Sequence, residues 1–352
     1  MSGAASFVVH AGARAAAHLR AHGLAPHDIA CIPAAAGGPK GLALVPLDKW
    51  LFGHWLRQTP RLELIGASIG AWRLYACAQA DAVAALDRLA ESYLAQHFPP
   101  QPTPAQVAAQ MRRFVRAVIG DGGTHTLRQH IALSVLTARA RGALHGRNCR
   151  AAFARAAASN VWSRAALARY FQRIIFTAHD AHFPSRVFDA FGLQRVPLTA
   201  DNLEDALLAS GSIPLLCEPV RNPRGAPTGD YWDGGLIDYH LLLPYRELPG
   251  LVLYPHFAPY VTPGWLDKFL PWRARPHAHP WLENVLLISP SPSLLQRLPN
   301  RKLPDRKDFY RYGHDDERRQ RDWRRAIGEC QRFAEEVARW LERPDPTVIR
   351  PL

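Results

Sequence analysis

The stretch Leu62-Glu63-Leu64-Ile65-Gly66-Ala67-Ser68-Ile69-Gly70-Ala71-Trp72-Arg73 constrains this chain more than any other. Its apolar run reads as a buried strand, Gly66 to Gly70 as a tight turn, and the residues from Ala71 as the opening of a helix. A serine on so sharp a strand-to-helix turn holds its hydroxyl at the mouth of a sheet, in position to attack a carbonyl. The two glycines let the backbone turn without Cβ clashes. The Ser68 N–H and the helix N-terminus are expected to face the negative charge that develops there. The same pentapeptide also suits a purely structural Gly-Ser-Gly turn, so partners elsewhere in the chain decide between the two.

Upstream, Asp28–Pro33 reads as a strand running into Ala34-Ala35-Ala36-Gly37-Gly38-Pro39-Lys40-Gly41, and Leu42–Phe52 as an apolar helix. A glycine loop at a helix N-terminus exposes N–H groups suited to an anion or an oxyanion. Neither G-x-x-x-x-G-K-[ST] nor G-x-G-x-x-G is present, which excludes the usual nucleotide loops. Downstream, helical patterns cover Trp72–His97, Pro104–Ile119, the stretch from Arg150 to Arg173, and Asn202–Ala209 with Asp201 as a cap. Strands are expected at His130–Ala138, Ile174–Ala178, Leu251–Tyr254 and Val285–Ile288. Such alternation predicts an α/β fold with a mostly parallel central sheet covered on both faces. Residues 1–300 read as one domain and 301–352 as a charged helical extension packed on it, with Asp315–Glu342 as a single amphipathic helix.

A serine hydroxyl needs a base within reach. A late histidine would complete a Ser-His-Asp triad, and His240, His256, His277, His279 and His314 are all late. Asp233-Gly234-Gly235 offers another solution, a carboxylate at a strand end that meets the serine directly as a dyad. His277 and His279 have a spacing metals use, but no third ligand accompanies them, and no metal or other cofactor is expected. The five cysteines are scattered and never paired as C-x-x-C, which argues against disulfides and thiolate metal sites and for a reducing compartment.

Four motifs now stand in order: the loop Gly37-Gly38-Pro39-Lys40-Gly41, the elbow, the small-residue turn Ala209-Ser210-Gly211-Ser212-Ile213-Pro214, and Asp233-Gly234-Gly235. From Asp28 to Tyr239 the chain resembles the patatin-like phospholipases. That resemblance implies a three-layer α/β/α fold and a lipid acyl hydrolase that cleaves fatty-acyl esters through an acyl-enzyme. It implies Ser68 as nucleophile and Asp233 as base. Gly37, Gly38, Lys40 and Gly41 would form the oxyanion site, with the N–H groups of Gly37 and Gly38 as donors. Gly66, Gly70, Gly234 and Gly235 would support the elbow and the dyad. The chain departs from the family pattern where proline follows two glycines and where Lys40 takes the place of an arginine. An ammonium lacks the bidentate fork of a guanidinium, so preference for a phospholipid is in question.

The formal net charge is +13, and twelve arginines against the single acid Asp121 lie between Met111 and Arg173. That imbalance implies attraction to an anionic surface. Arg155, Arg169 and Arg173, with Trp162 among them, read as one helix face suited to an anionic membrane, or simply as a solvated face. A non-catalytic basic binding module is the competing reading, but no nucleic-acid motif accompanies the charge, so nucleic acid is not an expected partner. No secretory segment and no apolar run of membrane-spanning length occurs, so a cytoplasmic protein, peripheral on the inner membrane face, is expected. Only five of the 43 basic residues are lysines (Lys40, Lys49, Lys268, Lys302 and Lys307).

Overall fold

The computed structural model describes residues 5–144, 149–274 and 279–352. Among the described residues eleven strands form one sheet: β1 (Phe7–Ala11), β2 (Ile29–Ala34), β3 (Leu62–Gly66), β4 (Ile131–Ala140), β5 (Phe171–Thr177), β6 (Gln194–Pro197), β7 (Val220–Arg221), β8 (Asp230–Asp233), β9 (Leu251–Pro255), β10 (Val285–Pro290) and β11 (Ile349–Pro351). Their order is β11-β1-β10-β9-β2-β3-β4-β5-β6, with β8 paired to both β4 and β7. The centre, β10-β9-β2-β3-β4, is parallel throughout. Every residue of β3 and β10 is buried, as helices on both faces of a parallel sheet require. The fold is therefore the mixed α/β architecture with a mostly parallel sheet that the alternation of patterns implies.

Register places the functional segments. Ala34 of β2 pairs with Gly66 of β3, and Gly66 pairs with Val135 of β4. The glycine loop and the elbow thus leave adjacent strands at the same height. Asp233, at the end of antiparallel β8, pairs with Thr137 of β4 and arrives at the same edge. This is the carboxyl end of the parallel strands, where open α/β sheets form their binding crevice.

Several elements differ from the sequence reading. Trp72–His97 is not one helix but two, Ile69–Ala78 and Ala82–Leu94. Gln79 turns extended to bridge Leu127, and Asp81 restarts the helix by accepting the Ala84 N–H at 2.9 Å. The stretch from Arg150 to Arg173 divides into a helix (Cys149–Trp162), a 3-10 turn (Arg164–Arg169) and the start of β5, with Ser163 extended at the first break. The expected arginine face therefore does not exist as one surface. Arg173 is wholly buried inside the sheet. The segment Leu42–Phe52 begins as a 3-10 turn over Gly38–Leu44 and becomes α-helical only at Val45–Trp50. Asp201 does not cap the helix Leu203–Gly211; it pairs with Arg224 at 3.1 Å, and Asn202 precedes the helix.

The helix Asp316–Glu342 forms as expected, capped by Asp315, which accepts the Arg318 N–H at 2.9 Å. Trp323, Phe333, Val337 and Leu341 bury its inner face. Beyond it, β11 adds to the sheet beside β1. A second internal tie holds the elbow helix. Arg73 donates to Asp48 through Nε (2.7 Å) and Nη2 (2.9 Å), and both side chains are buried. A paired, bidentate geometry of this kind is what makes two buried charges tolerable.

Candidate active site

Ser68 sits at φ 57, ψ −131, a conformation that costs a non-glycine residue about 1–3 kcal/mol. Bonds on two sides hold it there. The Ala67 N–H donates to Ala34 O at 3.3 Å, and the Gly70 N–H donates to Ala67 O at 2.9 Å. Gly70 passes so close to β2 that a Cβ would lie 2.0 Å from the Ala34 oxygen. From the other side, Ser210 accepts the Ser68 N–H at 2.9 Å while its own hydroxyl donates to Leu136 O at 2.7 Å. This corrects one expectation: the Ser68 N–H is committed to Ser210 and does not face a reacting carbonyl. The sequence marks the small-residue turn that contains Ser210, but nothing local marks the contact itself, which joins residues 142 positions apart.

The facing loop supplies the remaining donors. The Ala36 N–H is taken by Tyr239 O at 2.9 Å, whereas the N–H groups of Gly37 and Gly38 donate to no group among the described residues. Gly38 adopts φ +57, which glycine permits without strain, and it opens the 3-10 turn whose first N–H groups lack internal partners. Lys40 stands at the cavity wall with Nζ 5.2 Å from the centre of the Phe257 ring, and burial draws its pKa below the usual lysine value. Gly41 does not reach the wall. It packs against the side chains of Ile69 and Arg73, so its part in the loop is close packing rather than oxyanion contact.

Asp233 is buried, and its Oδ1 accepts the Gly235 N–H at 2.7 Å. Its own N–H donates to Ser212 O at 2.8 Å, which ties β8 to the small-residue turn. Burial pushes the carboxyl group up. The Ser68 side chain, the charge of Arg306 and the Gly235 N–H pull it partly back, and it settles at about 6. Gly234 and Gly235 pack tightly against Leu136 and Ala36, closing the turn under the carboxylate.

His240 and His256 lie elsewhere. His240 and His256 stack edge to face with ring centres 4.4 Å apart, and their Nδ1 atoms accept the N–H groups of Thr262 (3.1 Å) and Ala258 (2.8 Å). Burial lowers the pKa of both, that of His256 to about 3. Neither borders the space in front of Ser68. His279 accepts the Trp281 N–H at 3.2 Å, and His277 lies outside the described residues. His314 borders an apolar cavity that Ser68 also lines.

Two cavities meet at Ser68. One, of about 290 Å³, is walled mainly by apolar groups such as Trp72, Tyr93, Phe98, Met111, Ile213 and Phe309. The other, of about 310 Å³, contains Asp233 and is bordered by Lys40, Tyr239, Lys268, Arg306 and Lys307. Gly38, Ser68 and Arg306 belong to both walls. An ester carbonyl at Ser68 can thus extend an apolar chain to one side and its alcohol to the other.

A family model described as patatin-like phospholipase matches residues 37–243. The chain belongs to the patatin-like phospholipase family. Comparison with curated proteins finds no match. The matched span runs from the first glycine of the loop through the elbow to ten residues past Asp233, so a patatin-like scaffold, that of a lipid acyl hydrolase family, underlies the geometry above. Residues beyond the matched span also build the site. Phe257 packs on Gly37, and Lys268, Arg306 and Phe309 line the cavities without any motif to announce them.

Part of the arginine excess between Met111 and Arg173 is paired within the protein. Arg173 donates to Asp238 (2.7 and 2.8 Å) and to Asp189 (2.8 and 2.7 Å), bracing the turn just after Asp233. Arg116 pairs with Glu204 at 2.8 Å, Arg164 with Asp267 at 3.1 Å, and Arg139 bonds the Thr228 carbonyl. Asp238 is thus a positioning residue for the turn, held by an arginine 65 positions upstream.

Proposed function

We propose that the protein hydrolyses fatty-acyl esters through a Ser68–Asp233 dyad. The observation that carries this reading is the meeting of a strained serine with a buried carboxylate of raised pKa, at the mouth of an apolar cavity and opposite two uncommitted N–H groups. Ser68 Oγ attacks the ester carbonyl while Asp233 takes its proton. The oxyanion is held by the N–H groups of Gly37 and Gly38, with Lys40 adding positive charge nearby. Collapse of the intermediate breaks the ester C–O bond, and Asp233 returns the proton to the departing alcohol. Water then attacks the acyl-enzyme, with Asp233 again as base, and releases the carboxylic acid and free Ser68. His240 and His256 do not border the space in front of Ser68, which favours the dyad over a triad built on either of them.

Labelling with a fluorophosphonate probe, followed by mass spectrometry of the modified peptide, tests the assignment. The expected adduct is on Ser68; an adduct on any other residue, or none, overturns it.

Peripheral contact with an anionic membrane belongs to the same proposal. Among the described residues no helix is long and apolar enough to cross a bilayer. Exposed aromatic groups nevertheless gather beside the polar cavity. Trp162, Phe269 and Trp272 are 86%, 63% and 66% exposed, and Arg273 links two of their segments by bonding the Trp162 carbonyl at 3.2 Å. Exposed aromatics beside basic groups suit the headgroup layer. The protein is expected to sediment with anionic liposomes, and the Trp162→Ala, Trp272→Ala double variant to stay in the supernatant. Equal sedimentation of both would remove this surface from the proposal.

A further inference from the structure

Four of the five lysines in the chain (Lys40, Lys268, Lys302 and Lys307) stand at one corner of the molecule, around the polar cavity and the strap that precedes the C-terminal helix. Lys302 is consumed by Asp305 (2.9 Å) and Asp308 (2.6 Å). Lys40, Lys268, Arg306 and Lys307 have no carboxylate within ion-pairing distance among the described residues, yet all four border the cavity that contains Asp233. Three of them lie outside residues 37–243.

We propose that Lys268, Arg306 and Lys307, together with Lys40, form an anion-binding subsite for the leaving alcohol, and that the preferred substrate is a single-chain ester whose alcohol carries a net negative group such as a phosphate monoester. The inference rests on the ester hydrolysis proposed above and adds the half of the substrate that the apolar cavity does not describe.

The surroundings of each cation support it. Lys268 Nζ lies 4.5 Å from the Trp265 ring centre, 4.8 Å from that of Phe269 and 5.6 Å from that of Tyr239, a cradle that positions an ammonium without neutralising it. The second acid at this cavity, Asp305, is occupied by Lys302 and by the Lys307 N–H at 2.9 Å. Partial burial and the repulsion of Lys40, Arg306 and Lys307 bring Lys268 down to about 8, a cost that a bound anion relieves. Arg306 belongs to both cavity walls, beside Gly38, which places its charge at the junction of acyl group and alcohol. One apolar cavity of about 290 Å³, at the small end of the range for ligand pockets, suits one chain rather than two. A zwitterionic alcohol would bring a quaternary ammonium against the same cations, a repulsion that discriminates against it.

The test compares kcat/KM on three dodecanoyl esters of glycerol: the neutral monoester, its 3-phosphate and its 3-phosphocholine. The unaltered protein is expected to favour the phosphate over both others by at least about tenfold, the scale of one charge-assisted contact. In the Lys268→Gln, Lys307→Gln variant, whose altered side chains make no ion pair among the described residues and whose folding is checked by its melting temperature, the phosphate ester should lose at least about tenfold more rate than the neutral one. No preference, or a preference that survives the double change, overturns the subsite.

If no ester is cleaved, the hydrolase reading fails, and the subsite is still judged by calorimetry of the phosphate ester on Ser68→Ala. Binding that weakens with both lysines replaced supports it, and unchanged binding refutes it. Inorganic phosphate binding as tightly as the phosphate ester would show a site for free phosphate, not for a leaving group, and would also overturn the proposal.

Discussion

Ser68→Ala is expected to lower turnover of a p-nitrophenyl acyl ester by on the order of 10⁴-fold or more, with the melting temperature nearly unchanged. The first half follows from the chemistry. Without Oγ there is no acyl-enzyme, and Asp233 has no hydroxyl from which to take a proton. The second half follows from how the elbow is held. The bond that clamps Ser68 to Ser210 uses the backbone N–H, which alanine keeps, and the Gly70 approach to β2 involves no atom of the serine side chain. The strain at φ 57 is common to both residues, because alanine carries the same Cβ. The variant therefore separates catalysis from folding. Turnover close to that of the unaltered protein would exclude Ser68 as nucleophile, and loss of the fold would show that the hydroxyl has a structural role that its contacts do not reveal.

Why the sequence disclosed this serine and not its other supports is a matter of range. The elbow, the glycine loop and the Asp233 turn each need particular residues within five positions, so local sterics print them in the chain. The central strands are legible for a similar reason: burial on both faces demands continuous apolar runs, as in β3 and β10. Other features depend on partners far away. β1 forms because β10 and β11 lie on either side of it, with Phe7 paired to Pro290 and Val9 to Ile349, and the five residues FVVHA carry no signal of their own. Arg173 reads as a surface charge until Asp189 and Asp238 close on it, and a helical period drawn through Phe171 and Ile174 conceals the start of β5. Arg306 is the sharpest case. Nothing near it forms a motif, and it reaches Gly38 only because the helix Asp316–Glu342 packs its buried face, including Trp323 and Phe333, onto the body of the protein.

Asp233→Asn is expected to lower kcat/KM by about 10²–10⁴-fold, the usual worth of a positioned base, and pH separates this from a merely structural loss. In the unaltered protein the carboxylate must be ionised to act. With its pKa raised from an ordinary 3.8 to about 6, kcat/KM should be level above that pH and fall about tenfold per unit below it. Stability should move the opposite way. A raised pKa in the folded state means that the folded protein holds this proton more tightly than the unfolded chain does. The contribution is fully present below about 3.8 and is lost as pH rises to about 6. Asparagine keeps an oxygen for the Gly235 N–H but carries no charge to desolvate, so the variant should melt higher than the unaltered protein at pH 8 and nearly alongside it at pH 4. An inactive variant that is more stable at high pH fits a base held in a costly environment for its chemistry. If instead the variant keeps both its activity and its acid limb near pH 6, the titrating group is another residue, and the dyad must give way to a base that Asp233 only positions.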